Sequence, residues 1–268
     1  MRNVFTILAV AAFASAASAE DTTTAAPTGP VISGAVNLDF AETAGDNYGG
    51  TMGIELDIDA GSLATVDLDF SATDGSALTL DTWTVGTTVA GVGLAFGDDN
   101  NLMPETDANA AADGTLATPA MTESLAVSVA GASVALGLTD WTTDVTDVSN
   151  IQGAYTIDMD RFAITGAMDY NMDSENTVVG AGVGGLDLGV ASLGGAMTYD
   201  VDAETFGYEG VVTSGGITAY LNGDDTDAFQ NVGGEYTYSL GGAALTAGAN
   251  YNVDTEDFAP TASVAFAF

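Results

Sequence analysis

The sequence contains no cysteine and no histidine, and its only basic residues are Arg2 and Arg161. Without cysteine there is no disulfide framework, and neither thiol nor imidazole catalysis is available to the chain. Against the two arginines stand 38 acidic residues, so the formal net charge is −36 at pH 7. We therefore expect no nucleic acid as a partner, because the chain has almost nothing with which to neutralise phosphates.

Long apolar runs are also absent. Although 47% of the residues are hydrophobic, no run reaches the roughly 18 apolar residues that a membrane helix needs. The first segment has another pattern: Arg2 is a basic start, Val4 to Ala14 is apolar, and Ala17-Ser18-Ala19 is a small-residue cleavage site. This predicts a signal peptide over 1–19, followed by a flexible leader over 20–30; the alternative is an ordinary buried first helix.

What the chain does have is alternation of apolar and polar residues from Val31 to its last residue. In the stretch from Met52 to Asp59, Ile54 and its apolar neighbours face one way and Glu55 and its acidic neighbours the other, which is the period of a sheet strand. We count sixteen such segments: 31–40, 48–59, 63–73, 77–89, 92–98, 122–130, 133–141, 149–159, 162–171, 177–186, 188–200, 205–214, 216–222, 229–240, 243–253 and 259–268. The fourth changes phase between Leu80 and Trp83, which predicts a bulge.

The segments share two further features. Their links broadly alternate between short and long, and aromatic residues cluster toward their ends, as in an up-and-down membrane barrel with interfacial girdles; aromatics are also ordinary strand formers. Their polar faces carry many carboxylates, which a packed core could not hold unpaired. That acidic face must therefore meet water, either in a lumen or on the solvated exterior of a two-sheet protein. Its members are Asp39, Glu55, Asp57, Asp67, Asp69, Asp158, Asp169, Glu209 and Glu235.

At its end the chain resembles a known family. The last residues, TASVAFAF, finish on Phe268 and resemble the closing strand of Gram-negative outer-membrane proteins, and 83–105 resembles the region of alphaproteobacterial porins that leads into the constriction loop. The resemblance implies a transmembrane antiparallel β-barrel of about sixteen strands over 31–268, with an inward-folded loop after strand 5. It also implies a homotrimer in the outer membrane, in contact with outer-membrane lipid and lipopolysaccharide. The chain is short for sixteen strands, so fourteen remain possible.

The loop over 99–121 is the long stretch without a strand pattern, and such loops are usually functional or disordered. By the resemblance it narrows the pore with Asp99, Glu105, Asp107 and Asp113, facing wall carboxylates Glu55, Asp57, Asp67 and Asp69; the alternative is an acidic surface loop. Porins of this family set a basic cluster against the loop. Here only Arg161 remains after signal cleavage, in a predicted tight periplasmic turn beside Asp160, so we expect a lumen of one sign that prefers cations.

These patterns predict a porin that passes small hydrophilic solutes and cations by passive diffusion, with no enzymatic activity and no cofactor. Phosphate loops, nucleophile elbows and zinc motifs are absent from the sequence. Acidic clusters in the loops offer oxygen ligands for Ca²⁺ or Mg²⁺, without the spacing of a known calcium motif, at Asp200, Asp202 and Glu204, at Asp224, Asp225 and Asp227, and at Asp254, Glu256 and Asp257. The alternative function is a secreted or surface-attached acidic β-protein, an adhesin or solenoid, that binds divalent cations.

Overall fold

The fold is a single closed barrel of antiparallel strands, seen in a computed structural model that describes residues 30–43, 47–61, 63–73, 76–98, 100–105, 116, 121, 123–140, 144–226 and 229–268. The strands are β1 Val31–Thr43, β2 Asn47–Asp59, β3 Thr65–Thr73, β4 Thr79–Val89, β5 Val92–Gly97, β6 Ser124–Val129, β7 Ala132–Asp140, β8 Asp144–Met159, β9 Phe162–Asn171, β10 Asn176–Asp187, β11 Ser192–Asp200, β12 Thr205–Ser214, β13 Ile217–Asp224, β14 Asn231–Ser239, β15 Ala243–Asn252 and β16 Asp257–Ala267. No helix among these residues is long and apolar enough to cross a membrane.

Each strand pairs with its sequence neighbours, and β16 pairs with β1 to close the barrel. At the seam the Phe268 N–H donates to the Gly34 carbonyl at 3.0 Å and the Gly34 N–H donates to the Phe268 carbonyl at 3.2 Å. The prediction of sixteen up-and-down strands is confirmed, and fourteen is excluded. The barrel is closed, so its architecture is neither the open solenoid nor the two-sheet arrangement that the alternation alone allowed.

Three strand boundaries differ from the predictions by three residues or more, those of β1, β8 and β11. β8 begins at Asp144 rather than at 149, and β1 and β2 extend toward each other as far as Thr43 and Asn47, so the predicted long links 41–47 and 142–148 are shorter. β11 begins at Ser192 rather than 188. For β1, β2 and β8 the reason is that strand pairing uses backbone groups, so it continues past the residues that keep the apolar alternation. β11 begins later because the preceding residues form a turn, in which the Leu188 N–H donates to the Ala191 carbonyl at 2.9 Å.

Irregularities occur where the sequence loses its alternation. Between β3 and β4, Asp69 pairs with Thr82 but Phe70 pairs with Leu80, so Asp81 is an extra residue on β4. This confirms the bulge predicted between Leu80 and Trp83. The glycine-rich β10 is a strand, with a register shift between Val183 and Leu186.

The two ends of the barrel differ in their links. One end, here the loop rim, carries the links 44–46, 74–78, 98–123, 141–143, 172–175, 201–204, 225–230 and 253–256. The other, the turn rim, carries 60–64, 90–91, 130–131, 160–161, 188–191, 215–216 and 240–242, together with both ends of the barrel sequence. Every second link lies on the same rim, and the links of the loop rim are broadly longer than those of the turn rim. The expected alternation of longer and shorter links therefore holds broadly.

The polarity of the two sheet faces is the reverse of that in a water-soluble β-protein. Large apolar side chains lie exposed on the outer face, for example the cross-strand pair Ile157 and Ile164, 46% and 37% exposed. The largest fully buried side chains are polar and belong to the inner face: Gln152, Asn222, Thr198, Asp169 and Ser124. Exposed aromatics lie toward both rims: Tyr170, Tyr199, Phe206, Tyr251 and Phe258 toward the loop rim, and Tyr155, Tyr236, Tyr238 and Phe266 toward the turn rim.

Candidate functional site

The inner face of β2 and β3 carries a concentrated group of carboxylates, here the acidic wall: Glu55, Asp57, Asp67 and Asp69. Glu55 lies directly opposite Asp69, and Asp57 lies opposite Asp67. Carboxylate oxygens of Glu55, Asp57 and Asp67 lie within 4.8 Å of one another. Like charges placed directly opposite each other in a sheet repel, so this wall keeps a strong negative potential. Asp69 is partly compensated, because the Thr82 hydroxyl donates to its Oδ2 at 2.7 Å.

The inner face of β8 and β9 is built from amides around one carboxylate. Asn150 Nδ2 donates to both carboxylate oxygens of Asp169 at 3.2 Å, and Asn171 Nδ2 donates to Asn150 Oδ1 at 3.3 Å. Asp169 is 1% exposed and Gln152 is fully buried beside it across the strand pair. Buried charges are tolerated when neighbouring donors satisfy them. This part of the wall is therefore polar, ordered and closed to bulk water.

A second amide network lies on β13, β14 and β15. Asn222 Oδ1 accepts hydrogen bonds from the backbone N–H of Asn231 at 3.0 Å and from its Nδ2 at 3.1 Å. Asn231 Oδ1 in turn accepts from Asn250 Nδ2 at 3.4 Å and from Asn252 Nδ2 at 3.0 Å. These four hydrogen bonds involve only amides and a backbone N–H, whereas the network on β8–β9 contains the carboxylate of Asp169.

The first part of the link after β5 contacts the inner wall on the far side of several strands. The Leu102 N–H donates to Gln152 Oε1 on β8 at 2.7 Å, and Met103 and Pro104 lie against Gly180 and Gly182 of β10. Residues 102–104 therefore lie within the barrel, against the inner face of its wall. A recess of about 340 Å³ lies beside them, lined by Pro104, Glu105, Thr165, Gly182, Gly194 and Thr213 among others.

The predicted constriction residues are mostly not described. Asp99, Asp107 and Asp113 lie outside the described residues, as do the predicted signal peptide and most of the leader. Glu105 is described and exposed, at the edge of the recess. The four predicted wall carboxylates are brought together on β2 and β3, as given above. Whether the whole loop over 99–121 narrows a pore stays a prediction.

Arg161 lies where the sequence placed it, in the two-residue turn 160–161 between β8 and β9 on the turn rim, and it is exposed. Its carbonyl accepts the Asp187 N–H at 2.9 Å. Arg2 is the only other basic residue of the chain. No basic side chain therefore faces the acidic wall from within the described barrel.

In two of the acidic clusters of the loop rim, an aspartate accepts hydrogen bonds from its own turn. Asp200 Oδ1 accepts the N–H groups of Asp202 and Ala203 at 3.0 and 2.8 Å, and Asp224 Oδ1 accepts the Thr226 N–H at 2.8 Å. Side chains of Asp and Asn commonly stabilise turns in this way. Asp227 lies outside the described residues. Binding of Ca²⁺ or Mg²⁺ to these turns stays a prediction, which titration calorimetry of the folded protein would test.

Sequence reasoning missed Gln152, Asn150 and the glycines of β10 as parts of the inner wall. Gln152 and Leu102 are far apart in the chain, so no local pattern links them. One signal was present: a tyrosine, then Asn or Asp, then an acidic turn, recurs at 170–175, 199–204 and 251–256. A search for repeats would have pointed to these strand ends.

No family model matches the sequence, and no curated protein is similar to it. Solved structures do match. A mutant of Rhodopseudomonas blastica porin superposes with a TM-score of 0.61 at 14% identity, covering 89% of this chain and 100% of that one. A loop-deletion mutant of OmpT, an outer membrane protein of Vibrio cholerae, superposes with a TM-score of 0.53 at 10% identity, covering 89% and 99%. The chain thus has a porin-type barrel fold, as the sequence resemblance implied.

Proposed function

We propose that this protein is an outer-membrane channel through which small hydrophilic solutes diffuse passively, with a preference for cations. The observation that carries the proposal is the inversion of the two faces. A closed sixteen-stranded barrel exposes large apolar side chains outside and holds amides, hydroxyls and carboxylates inside. In a membrane the apolar band meets lipid, and the polar interior of a barrel this size leaves room for water.

The cation preference follows from the charges of the lumen. The acidic wall places three carboxylates within 4.8 Å of one another, and Arg161 is on the turn rim. A lumen of one sign concentrates counter-ions and repels ions of the same sign. Mobile ions screen these charges over about 10 Å at 0.1 M salt, so the preference should weaken as the salt concentration rises.

The selectivity is tested by reconstituting the purified protein in a planar bilayer and measuring the reversal potential under a KCl gradient. A potential of the sign that indicates K⁺ preference is expected, and an anion preference would refute the proposal. In the double variant Asp57→Asn with Asp67→Asn the potential should move toward zero. The matched control, Asp160→Asn with Asp254→Asn, removes the same charge from the two rims and should move it less.

We also propose that the protein resides in the outer membrane of a Gram-negative cell as a homotrimer, with lipid and lipopolysaccharide around its apolar band. The tests are cell fractionation and gel electrophoresis with and without boiling. Recovery with the outer membrane, a mobility shift on boiling and an unboiled species of three chains are expected. Recovery from the medium without a mobility shift would instead favour the secreted acidic protein.

The proposal includes a constriction by the loop over 99–121. Support comes from residues 102–104, which lie against the inner faces of β8 and β10. Glu105 follows them at the recess. Removing 106–115 should raise the single-channel conductance if the loop narrows the lumen, and an unchanged conductance would place the narrowest point elsewhere.

A further inference from the structure

The barrel contains two copies of one four-strand unit. The hairpin β8–β9 and the hairpin β14–β15 carry the same residues at ten positions with a constant offset in numbering. These pairs are Asn150 and Asn231, Gly153 and Gly234, Tyr155 and Tyr236, Thr156 and Thr237, Ala163 and Ala244, Thr165 and Thr246, Tyr170 and Tyr251, Asn171 and Asn252, Asp173 and Asp254, and Glu175 and Glu256.

Several hydrogen bonds of the two hairpins are also the same. Thr156 and Thr165 share a bond of 2.9 Å between their hydroxyls, as do Thr237 and Thr246. The preceding strand belongs to the unit, because the Thr156 N–H donates to Gly131 at 2.8 Å just as the Thr237 N–H donates to Gly216 at 2.8 Å. We call β7–β10 the first copy and β13–β16 the second copy.

The copies differ at inward positions that the strand registers make equivalent. At four of these positions the first copy has the smaller residue. The pairs, first copy before second, are Ala135 and Tyr220, Gly137 and Asn222, Gly180 and Thr261, and Gly182 and Ser263. Other equivalent inward positions change the other way: Gln152 of the first copy corresponds to Gly233 of the second, Ala167 to Gly248 and Val178 to Ala259.

The space left by the small residues is occupied by the link after β5. A Cβ atom on Gly182 would come within 2.7 Å of Pro104 Cβ, and one on Gly180 within 2.8 Å of Pro104 Cδ. On Gly137 it would come within 3.0 Å of the Met121 sulfur. Met103 and Met121 are 3% and 6% exposed. The contacts with Pro104 leave no room for a side chain on Gly180 or Gly182 unless the segment moves.

The second copy fills the same space by itself. Tyr220 is 3% exposed, and a Cβ atom on Gly233 would collide with its ring. In the first copy the corresponding positions are Ala135 and Gln152, and Gln152 Oε1 accepts the Leu102 N–H instead. The same framework therefore encloses different groups in the two copies. In the second copy a tyrosine of the wall occupies the space, and in the first copy the link after β5 occupies it.

We propose that the inner face of the first copy is a specialised seat for residues 102–104 and Met121, and that this seat sets the cross-section of the channel. Gly180, Gly182, Gly137 and Ala135 provide the space, and Gln152 provides the acceptor. The statement about cross-section rests on the proposed channel function, whereas the seat itself does not. The residues are positioning residues, since they act through the segment they hold.

The seat is tested without any transport measurement by disulfide trapping. The natural chain has no cysteine, so the double variant Pro104→Cys with Gly182→Cys reports one contact. The Cβ separation of a disulfide is about 3.8 Å, which a small shift of the segment allows. Oxidation of the folded barrel should give an internal cross-link and a changed mobility on a non-reducing gel. The control, Pro104→Cys with Gly166→Cys on the outer face, should not cross-link; absence of the 104–182 link would overturn the seat.

The effect on the channel is tested by importing residues of the second copy. Gly182→Ser and Gly180→Thr should push the segment away from the wall and lower the single-channel conductance. The matched control is Gly184→Ala, on the same strand and face, where a Cβ atom meets nothing within 4 Å; its conductance should equal that of the unmodified protein. A mobility shift on boiling confirms that each variant folds.

The outcomes separate the two proposals. Cross-linking with unchanged conductance in Gly182→Ser would overturn the role of the seat in setting the cross-section. If the unmodified protein forms no channel in the bilayer, the proposed function fails, while the cross-link still decides whether the seat exists.

Discussion

The first copy, β7–β10, and the second copy, β13–β16, share a framework but not an interior. The hairpins β8–β9 and β14–β15 have the same register and hydroxyl pair, and the turns 172–175 and 253–256 are alike, while several inward side chains differ in size and charge. The difference shows that in this barrel the framework depends on a few hydrogen-bonding residues. The inward positions outside that framework vary, because they face a space that either a side chain or another segment can fill.

A second contrast between the copies is electrostatic. Asp169 of the first copy corresponds to Asn250 of the second, and only Asp169 receives two hydrogen bonds from the equivalent asparagine, Asn150. In the second copy Asn231 directs its Nδ2 to Asn222 instead. The Asp169 carboxylate is therefore stabilised by the Nδ2 group of Asn150. In the second copy the equivalent Nδ2 group, that of Asn231, does not donate to Asn250.

The largest effect on the free energy of unfolding is expected from placing a carboxylate at the equivalent position of the second copy. Asn250→Asp buries a charge next to the Asn231 oxygen, and we expect a loss of about 3 kcal/mol in the free energy of unfolding, since unpaired buried charges are strongly destabilising. Urea unfolding in detergent micelles, followed by tyrosine and tryptophan fluorescence, measures it. The reverse change, Asp169→Asn, should cost less than about 1 kcal/mol, because Asn150 can still donate to an amide oxygen. Equal losses of unfolding free energy in the two variants would show that the two copies do not differ in how they accommodate a carboxylate.

An intermediate and equal effect is expected at the turns. Asn171 Oδ1 accepts the N–H groups of Asp173 and Ser174 at 3.0 and 2.8 Å, and Asn252 Oδ1 accepts those of Asp254 and Thr255 at 3.1 and 2.9 Å. Asn171→Ala and Asn252→Ala should each cost about 1–2 kcal/mol in the same unfolding experiment, since each leaves turn donors without their partner. A difference between them larger than about 1 kcal/mol would show that the frameworks are not equivalent.

The smallest effect is expected at the last residue of these turns. Glu175 and Glu256 both adopt φ of 57°, a left-handed conformation that suits glycine better. Glu175→Gly and Glu256→Gly should therefore change the free energy of unfolding by less than about 1 kcal/mol, in the stabilising direction. Matched Glu→Ala variants keep the strain and should not be stabilised. If glycine destabilises either turn, the glutamate side chain makes a contribution beyond its backbone shape.

The success of the strand predictions has a physical cause. Residues such as Ile54 and Glu55 alternate because each strand separates an apolar surface from a polar one, and this constraint acts on every residue. The bulge at Asp81 was visible for the same reason, since an extra residue shifts the alternation. Strand ends were less accurate, as at Asp144, because the backbone pairs without regard to side-chain type.

The seat could not be predicted, because its parts are remote in the chain and have ordinary identities. Glycine in β10 looks like weak strand sequence, and only the position of Pro104 shows that Gly180 and Gly182 leave space for it. The alternation places Gln152 on the polar face, but nothing in the sequence links it to Leu102. The acidic wall was easier, since Glu55, Asp57, Asp67 and Asp69 follow the alternation of two adjacent strands and antiparallel pairing brings them together.

The sequence by itself determined the strand pattern of about sixteen segments, the face on which most strand residues lie and the excess of negative charge, because all three follow from local alternation and composition. Only the tertiary structure decided that the sheet closes, which strands meet across the lumen and which part of the wall holds residues 102–104. Those outcomes depend on contacts between residues distant in the chain, whose energies no local pattern records.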